Sequence, residues 1–218
     1  MQNVLLRIIV VLTAGLCPAV VFSGGMGTIL DRSRFPAELQ LLRGDFDRSI
    51  SMTELSASER LGLQGRIDSA VGGLEWLAME YETITQTTVD RHNLDLVFDA
   101  WRRQESERAV EALESLIEQH PLNLRIFAAE RATNEDLQRV REIDATLCSG
   151  CHTASPGSPN QLPAYRLSEL ARSMTSTEFL ARLLSGVRGT EETLLANPLS
   201  MKDMRGFMAL YGATDTDP

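Results

Sequence analysis

Cysteine is scarce in this chain, with three among 218 residues, and two of the three fall in one pentapeptide. That scarcity excludes a disulfide-stapled scaffold, which needs pairs spread along the chain. Histidine is as thin, also three, so a four-ligand zinc centre would have to gather most of the soft donors present. Aromatic side chains make up 6% of the chain. No stretch of useful length alternates apolar with polar residues, which removes β-strands as an organising element. Basic excess is missing too, since the net charge is −9. Nucleic-acid affinity comes from neutralising phosphates, so this balance argues against that partner class. It suits solubility and a basic partner patch, and ordinary solvated helix faces account for it equally well.

The long apolar run lies at the start. Arg7 leads into IIVVLTAGLCPAVVF and then the small residues SGGMG. Charged, apolar, then small is the order of a secretory signal, so residues 1–23 are expected to be a signal peptide cleaved near Val21-Phe22-Ser23, with the rest exported to the periplasm. An uncleaved anchor is the rival reading, and membrane attachment is expected only in that case. Lipidation at Cys17 is a third, but Leu16 stands where a small residue is wanted. Loss of the signal leaves Cys148 and Cys151 as the chain's cysteines, in a compartment where stray thiols are a hazard.

Residues 24–132 read as a helical bundle of unassigned role. After Ser56, with Glu59 three residues on as in a capping box, Leu63, Ile67, Ala70, Leu74, Leu77, Tyr81 and Ile84 form one stripe at helical period. The β-branched TQTTVD stretch ends it. Leu94, Val97, Phe98 and Trp101 make a second face. Ala109, Ala112, Leu113, Leu116 and Ile117 make a third, which stops at His120-Pro121. A shorter helix over 36 to about 48 completes a four-helix antiparallel set. Trp76 and Trp101 are expected as core anchors, His92 at the surface, and His120 at a helix end facing the dipole. Glu75, Glu80 and Glu82 read as a solvated acidic face, because a bundle metal site wants inward Glu-x-x-His pairs and none is present.

Residues 121–132 form an irregular connector. Thr133 with Asp136 then starts a helix through Leu137, Val140 and Ile143, which delivers the chain into CSGCH at 148–152. A loop with Pro156, Gly157, Pro159 and Pro163 follows. Helices are expected over 167–174, 177–184 and 200–211, and residues 213–218 read as a flexible tail.

Four chemistries compete for CSGCH. Zinc lacks a second pair of ligands nearby. A redox disulfide normally follows a strand at a helix N-terminus, whereas this pair follows a helix. A structural disulfide leaves the histidine unused. Covalent haem attachment uses all three residues: two thiols close enough to add to both vinyl groups of one porphyrin, and an adjacent imidazole that reaches the iron from the same side.

On these residues the segment 134–212 resembles a small class I monohaem c-type cytochrome domain, which makes the expected fold all-α, a helical bundle followed by a cytochrome c-like domain over 133–212. The resemblance implies one covalent haem c held by Cys148 and Cys151, with His152 as an iron ligand, and one-electron transfer between protein redox partners rather than catalysis. "LPAYRL" is similar to the proline-containing segment of such domains, which implies that the Pro163 carbonyl accepts a hydrogen bond from His152 Nδ1. It also implies a methionine as sixth ligand. Met201, in NPLSMKDMRGFMALYG, leads; Met204 and Met208 share a helix face and read as packing, and Met174 comes too early.

Two departures stand out. Family members carry a glycine and an aromatic residue on the first helix where this chain has Val140 and Asp144, so that crossing must be built differently, with Ile143 against Phe207, Leu210 or Tyr211. If NPLS is aligned with the turn before the family's last helix, the ligand position falls at Leu194. The iron would then be five-coordinate, or bound by His92 or His120, and the protein would take a small ligand such as a gas or peroxide. A redox-sensing accessory subunit of a membrane complex is a further reading. The helical region ahead of the motif is similar to the periplasmic portion of some bacterial iron-permease proteins, and a docking or dimerisation role is expected for it.

Overall fold

Helix-start signals in the sequence decide where most of the elements begin. The computed structural model describes residues 28–51, 55–150, 152, 166–186 and 197–212. The expected signal peptide, Cys17, Cys151, Pro163, Leu194 and the 213–218 tail lie outside the described residues. The helices are α1 (Ile29–Ser51), α2 (Ala57–Thr85), α3 (Arg91–Arg102), α4 (Ser106–Gln119), α5 (Asn134–Ile143), α6 (Leu167–Arg172), α7 (Ser176–Ser185) and α8 (Met201–Tyr211). Single 3-10 turns at Leu124–Phe127 and Ala129–Arg131 make up the connector. Among the described residues there is no strand, and the fold is all-α. No described helix is long and apolar enough to cross a membrane.

Ser56 Oγ accepts the Glu59 N–H at 3.2 Å while the Glu59 carboxylate accepts the Ser56 N–H at 3.0 Å, which opens α2 as expected. α1 differs from expectation: it starts seven residues before Pro36 and runs through it. The reason is a second reciprocal cap. Thr28 Oγ1 accepts the Asp31 N–H at 3.2 Å, and Asp31 accepts the Thr28 N–H at 2.8 Å. Proline removes one intrahelical bond, yet Phe35, Ala37, Leu39, Leu42 and Phe46 are all buried around it, and that packing holds the helix together.

α1 is buried on two sides. Phe35, Leu39, Leu42 and Phe46 pack with Leu63, Ile67 and Leu74 of α2 and with the inner faces of α3 and α4, forming the four-helix core. Ala37 belongs to a second core with Phe127 of the connector, Phe179 and Leu180 of α7, and Met204 and Met208 of α8. Short connections over 86–90 and 103–105 oblige neighbouring helices to run antiparallel.

A charged seam joins the two groups. Asp45 on α1 is fully buried. It accepts hydrogen bonds from Arg66 of α2 through Nε and Nη2, both at 3.1 Å, and from Arg182 Nη2 of α7 at 2.6 Å. Glu178 of α7 accepts from Arg182 Nε at 2.9 Å and pairs with Arg48 at 2.6 Å. Gly44 makes room for this, because a Cβ there would lie 2.6 Å from the Glu178 carboxylate. Burial alone would raise the Asp45 carboxyl, but the Arg66 hydrogen bond and the Arg182 and Arg66 charges outweigh it and hold the group below its usual range.

Trp76 is a correction to the expected core. It is 54% exposed on α2, with the Arg34 guanidinium 5.6 Å from its ring centre. Trp101 is half-buried, edge-on to Phe46, and its Nε1 donates to Asp68 at 2.8 Å. Asp45→Ala leaves Arg66 without its partner and Arg182 with Glu178 alone beside a buried gap, and chemical denaturation is expected to report a loss of about 3–5 kcal/mol. Removing the exposed Asp99 partner of Arg102 is expected to change stability by less than about 1 kcal/mol.

Candidate functional site

The CSGCH segment is delivered by α5. Thr133 and Asp136 cap that helix reciprocally, at 2.9 and 3.1 Å. Its last turn then widens into a π-helical turn, Asp144–Cys148, in which the Ser149 N–H bonds to the Asp144 carbonyl at 2.8 Å. The coil continues far enough for the His152 N–H to reach the Cys148 carbonyl at 2.8 Å. Cys148 and His152 therefore sit one turn apart, both half-buried, with Leu147 beside them 70% exposed. Single π turns inside helices recur at functional sites.

The crossing of α5 and α8 settles how the Val140 departure is accommodated. A Cβ at Gly206 would lie 2.6 Å from Val140 Cγ1 and 2.9 Å from the Asp136 carbonyl, so the glycine that permits close approach is on the final helix. Val140 is fully buried against it. Arg139 Nε reaches the buried Asp203 of α8 at 2.6 Å. At the far end of the same helix, Tyr211 stacks on Phe207 at 6.4 Å and donates its hydroxyl to Asp144 Oδ2 at 2.6 Å. Burial, then the hydrogen bond and charge of Asp144, push the Tyr211 hydroxyl up to about 12, so it stays a donor and pins the π turn.

A cleft of about 200 Å³ opens here, lined by Asp144, Ser149 and His152 on one side and by Arg166, Leu167, Ser168 and Tyr211 on the other. Sites for small organic molecules usually occupy roughly 300–1,000 Å³. The donor set, a thiol and an imidazole on one turn, suits a covalently attached haem. The cleft alone accommodates only part of a group that size. Among the described residues no cluster of three or more His, Cys, Asp or Glu side chains could hold a metal ion by itself.

Other candidate residues lie elsewhere. Met201 is the first residue of α8, half-buried against the second core. Tyr211, which lines the His152 cleft, is the last residue of that helix, about 15 Å away at the α-helical rise. The described structure does not bring Met201 and His152 together. Met204 and Met208 are buried packing residues and Met174 lies against the same core. Among the described residues neither a methionine nor a second histidine lines the cleft. Sequence reasoning put Asp144 and Tyr211 at this crossing, but set Tyr211 against Ile143 and did not pair it with Asp144. Gly206, a lone glycine inside an apolar helical run, did leave a signal, as a mark of close backbone approach.

His120 stands at the end of α4, as expected, but is buried there. It is 3% exposed, wedged between Phe35 at 5.6 Å and Tyr81 at 5.3 Å, and neither ring nitrogen finds a hydrogen-bond partner among the described residues. His92 is exposed at the start of α3. Comparison with protein-family models, curated proteins and solved structures finds no match.

Burial lowers the His120 pKa from 6.5, against an opposing pull from Glu82. The unfolded chain therefore takes up this proton before the folded one does. The contribution is intact above the unfolded value and fades as pH falls through the folded one. Urea midpoints of the native protein are expected to drop as pH falls below about 6.5, and His120→Phe is expected to flatten that slope. Gly206→Val should overpack the crossing and lower stability by about 1–3 kcal/mol, read from thermal unfolding.

Proposed function

We propose that this chain is a periplasmic c-type cytochrome that carries one haem and passes single electrons between protein partners. Cys148 and Cys151 hold the group through thioether links, and His152 is the proximal iron ligand. The reading is carried by one observation: the widened turn that follows α5 ends at Cys148, whose carbonyl accepts the His152 N–H, and His152 lines a cleft closed on the far side by Tyr211 of the final helix. The glycine-mediated crossing at Gly206 supports it, as a close helix contact of the kind the resemblance implies, with the small residue on the other partner.

When bound, haem supplies reversible one-electron chemistry at its iron. The chain's own residues anchor, orient and shield it. Tyr211 fixes the π turn through Asp144 and so fixes the direction in which Cys148 and His152 leave α5. Pro163 is proposed as the acceptor for His152 Nδ1, which would set the ring's tautomer. No side chain needs to move a proton, so the protein is read as an electron carrier and not an enzyme. The signal at 1–23 is proposed to be removed on export.

A second reading has an observation in its favour. Met201 lies at the opposite end of α8 from the His152 cleft, and among the described residues no methionine or second histidine lines that cleft. An iron held by His152 alone on the protein side would bind a gas or peroxide. One set of measurements tests both readings, on protein exported in a host with haem-attachment machinery. A haem-stained denaturing gel is expected to be positive for the native chain and negative for the Cys148→Ala/Cys151→Ala variant. A colourless native protein with titratable thiols overturns the proposal. A ferrous spectrum unmoved by carbon monoxide favours electron transfer, and an immediate shift favours the open iron. An unchanged spectrum in Met201→Ala removes Met201 as a ligand.

A further inference from the structure

The outer face of α2 is unlike the other solvated helix faces. Leu61, Trp76 and Met79 are 72%, 54% and 55% exposed. Gly65 and Gly72 lie between them, and a Cβ built on either meets nothing within 4 Å. Successive residues of an α-helix turn by about 100°, which brings Leu61, Gly65, Gly72, Trp76 and Met79 into one narrow stripe. Glycine inside a helix is unfavourable relative to alanine. Gly44 and Gly206 are accounted for by the groups packed over them, Glu178 and Val140, whereas Gly65 and Gly72, like Gly73 off the stripe, meet nothing among the described residues. They leave a shallow trough between large apolar side chains.

The rim of the trough is acidic. From Asp68 to Glu82 the helix carries Asp68, Glu75, Glu80 and Glu82 and no basic residue. Glu75 and Asp68 flank one side of the stripe and Glu80 the other. Two cations of the chain already engage these carboxylates: Arg91 pairs with Glu82, and Arg34 of α1 lies 5.6 Å from the centre of the Trp76 ring and 3.4 Å from Glu80. Guanidinium and ammonium groups are drawn both to an indole face and to carboxylates, so the contact displays the chemistry the rim accepts. Arg60 and Arg66 belong to the other half of the helix, and Arg66 is committed to Asp45.

We propose that this face docks an amphipathic helix of a partner protein, apolar on the side that enters the trough and lysine- or arginine-rich along its edges. The glycines let the two backbones approach, Trp76 and Met79 cover the partner's apolar stripe, and Glu75 and Glu80 meet its cations. Helix-in-groove recognition is anchored by residues at such spacing, and charge on the rim governs the rate and choice of partner. The proposal is independent of the haem reading.

The probe is a fluorescein-labelled, amidated leucine–lysine peptide of helical amphipathic period, with a scrambled peptide of the same composition as control. Anisotropy is expected to detect binding of the ordered peptide well above the scrambled one. Gly65→Leu/Gly72→Leu, which fills the trough at positions open to solvent, is expected to weaken binding at least tenfold with an unchanged circular dichroism spectrum. Glu75→Lys should weaken it several-fold and reduce its dependence on salt. Equal binding of both peptides, or of native and variant proteins, overturns the proposal. So does a glycine-sensitive dimer in sedimentation, or glycine-sensitive binding to phosphatidylcholine vesicles, since the occupant would then be a second copy or a lipid surface.

Discussion

Burial of α1 on both sides is the constraint from which the architecture follows. A helix with Phe35, Leu39, Leu42 and Phe46 facing one core and Ala37 facing another has little free surface left for solvent. It carries two buried carboxylates, Glu38 and Asp45, and the second, with no exposure at all, must be answered from within. Arg66 and Arg182 answer it from opposite sides, and in doing so fix the direction and height of α7 against α1. α7 in turn supplies Phe179 and Leu180 to the core on which α8 rests. The position of the α5–α8 crossing is thus inherited, through two layers of packing, from an ion cluster remote in sequence from CSGCH.

The second level of organisation is the pairing of α5 with α8. Val140 against Gly206 sets the distance, Arg139 with Asp203 sets one end, and Tyr211 with Asp144 sets the other. Three contacts of different kinds on two short helices define a rigid corner. Hydrogen bonds to charged groups, held by partly buried partners, are stronger than neutral ones. The motif leaves α5 directly beyond that corner, and its orientation depends on the corner being firm.

How much of this was legible in the sequence varies with the physics of each element. Periodicity located α2, α3, α4, α5 and α8 to within a few residues, because apolar stripes are local patterns. The caps at Ser56 and Thr133 were legible for the same reason. The start of α1 was missed because Pro36 is a stronger local cue than the Thr28–Asp31 cap, and only tertiary burial lets a helix carry a proline so far inside. Trp76, expected in the core, is outside, and His120, at its expected helix end, is buried. Trp76 on α2 and His120 just past the end of α4 are both placed by neighbours distant in sequence. The candidate site was legible as three residues of one motif, whereas Asp144 and Tyr211, which hold the turn beneath it, meet only in the fold.

The π turn at Asp144–Cys148 has a geometric corollary. One additional residue accommodated within a helix advances everything after it by about 100° around the axis. Leu137 and Val140 follow the phase that carries Val140 onto α8, while Cys148 and His152 follow the advanced phase. Helix packing and thiol presentation are thereby decoupled, and each face can be aimed without regard to the other. A chain one residue shorter between Ile143 and Cys148 would rejoin the two phases and swing the pentapeptide toward a different quadrant of α5.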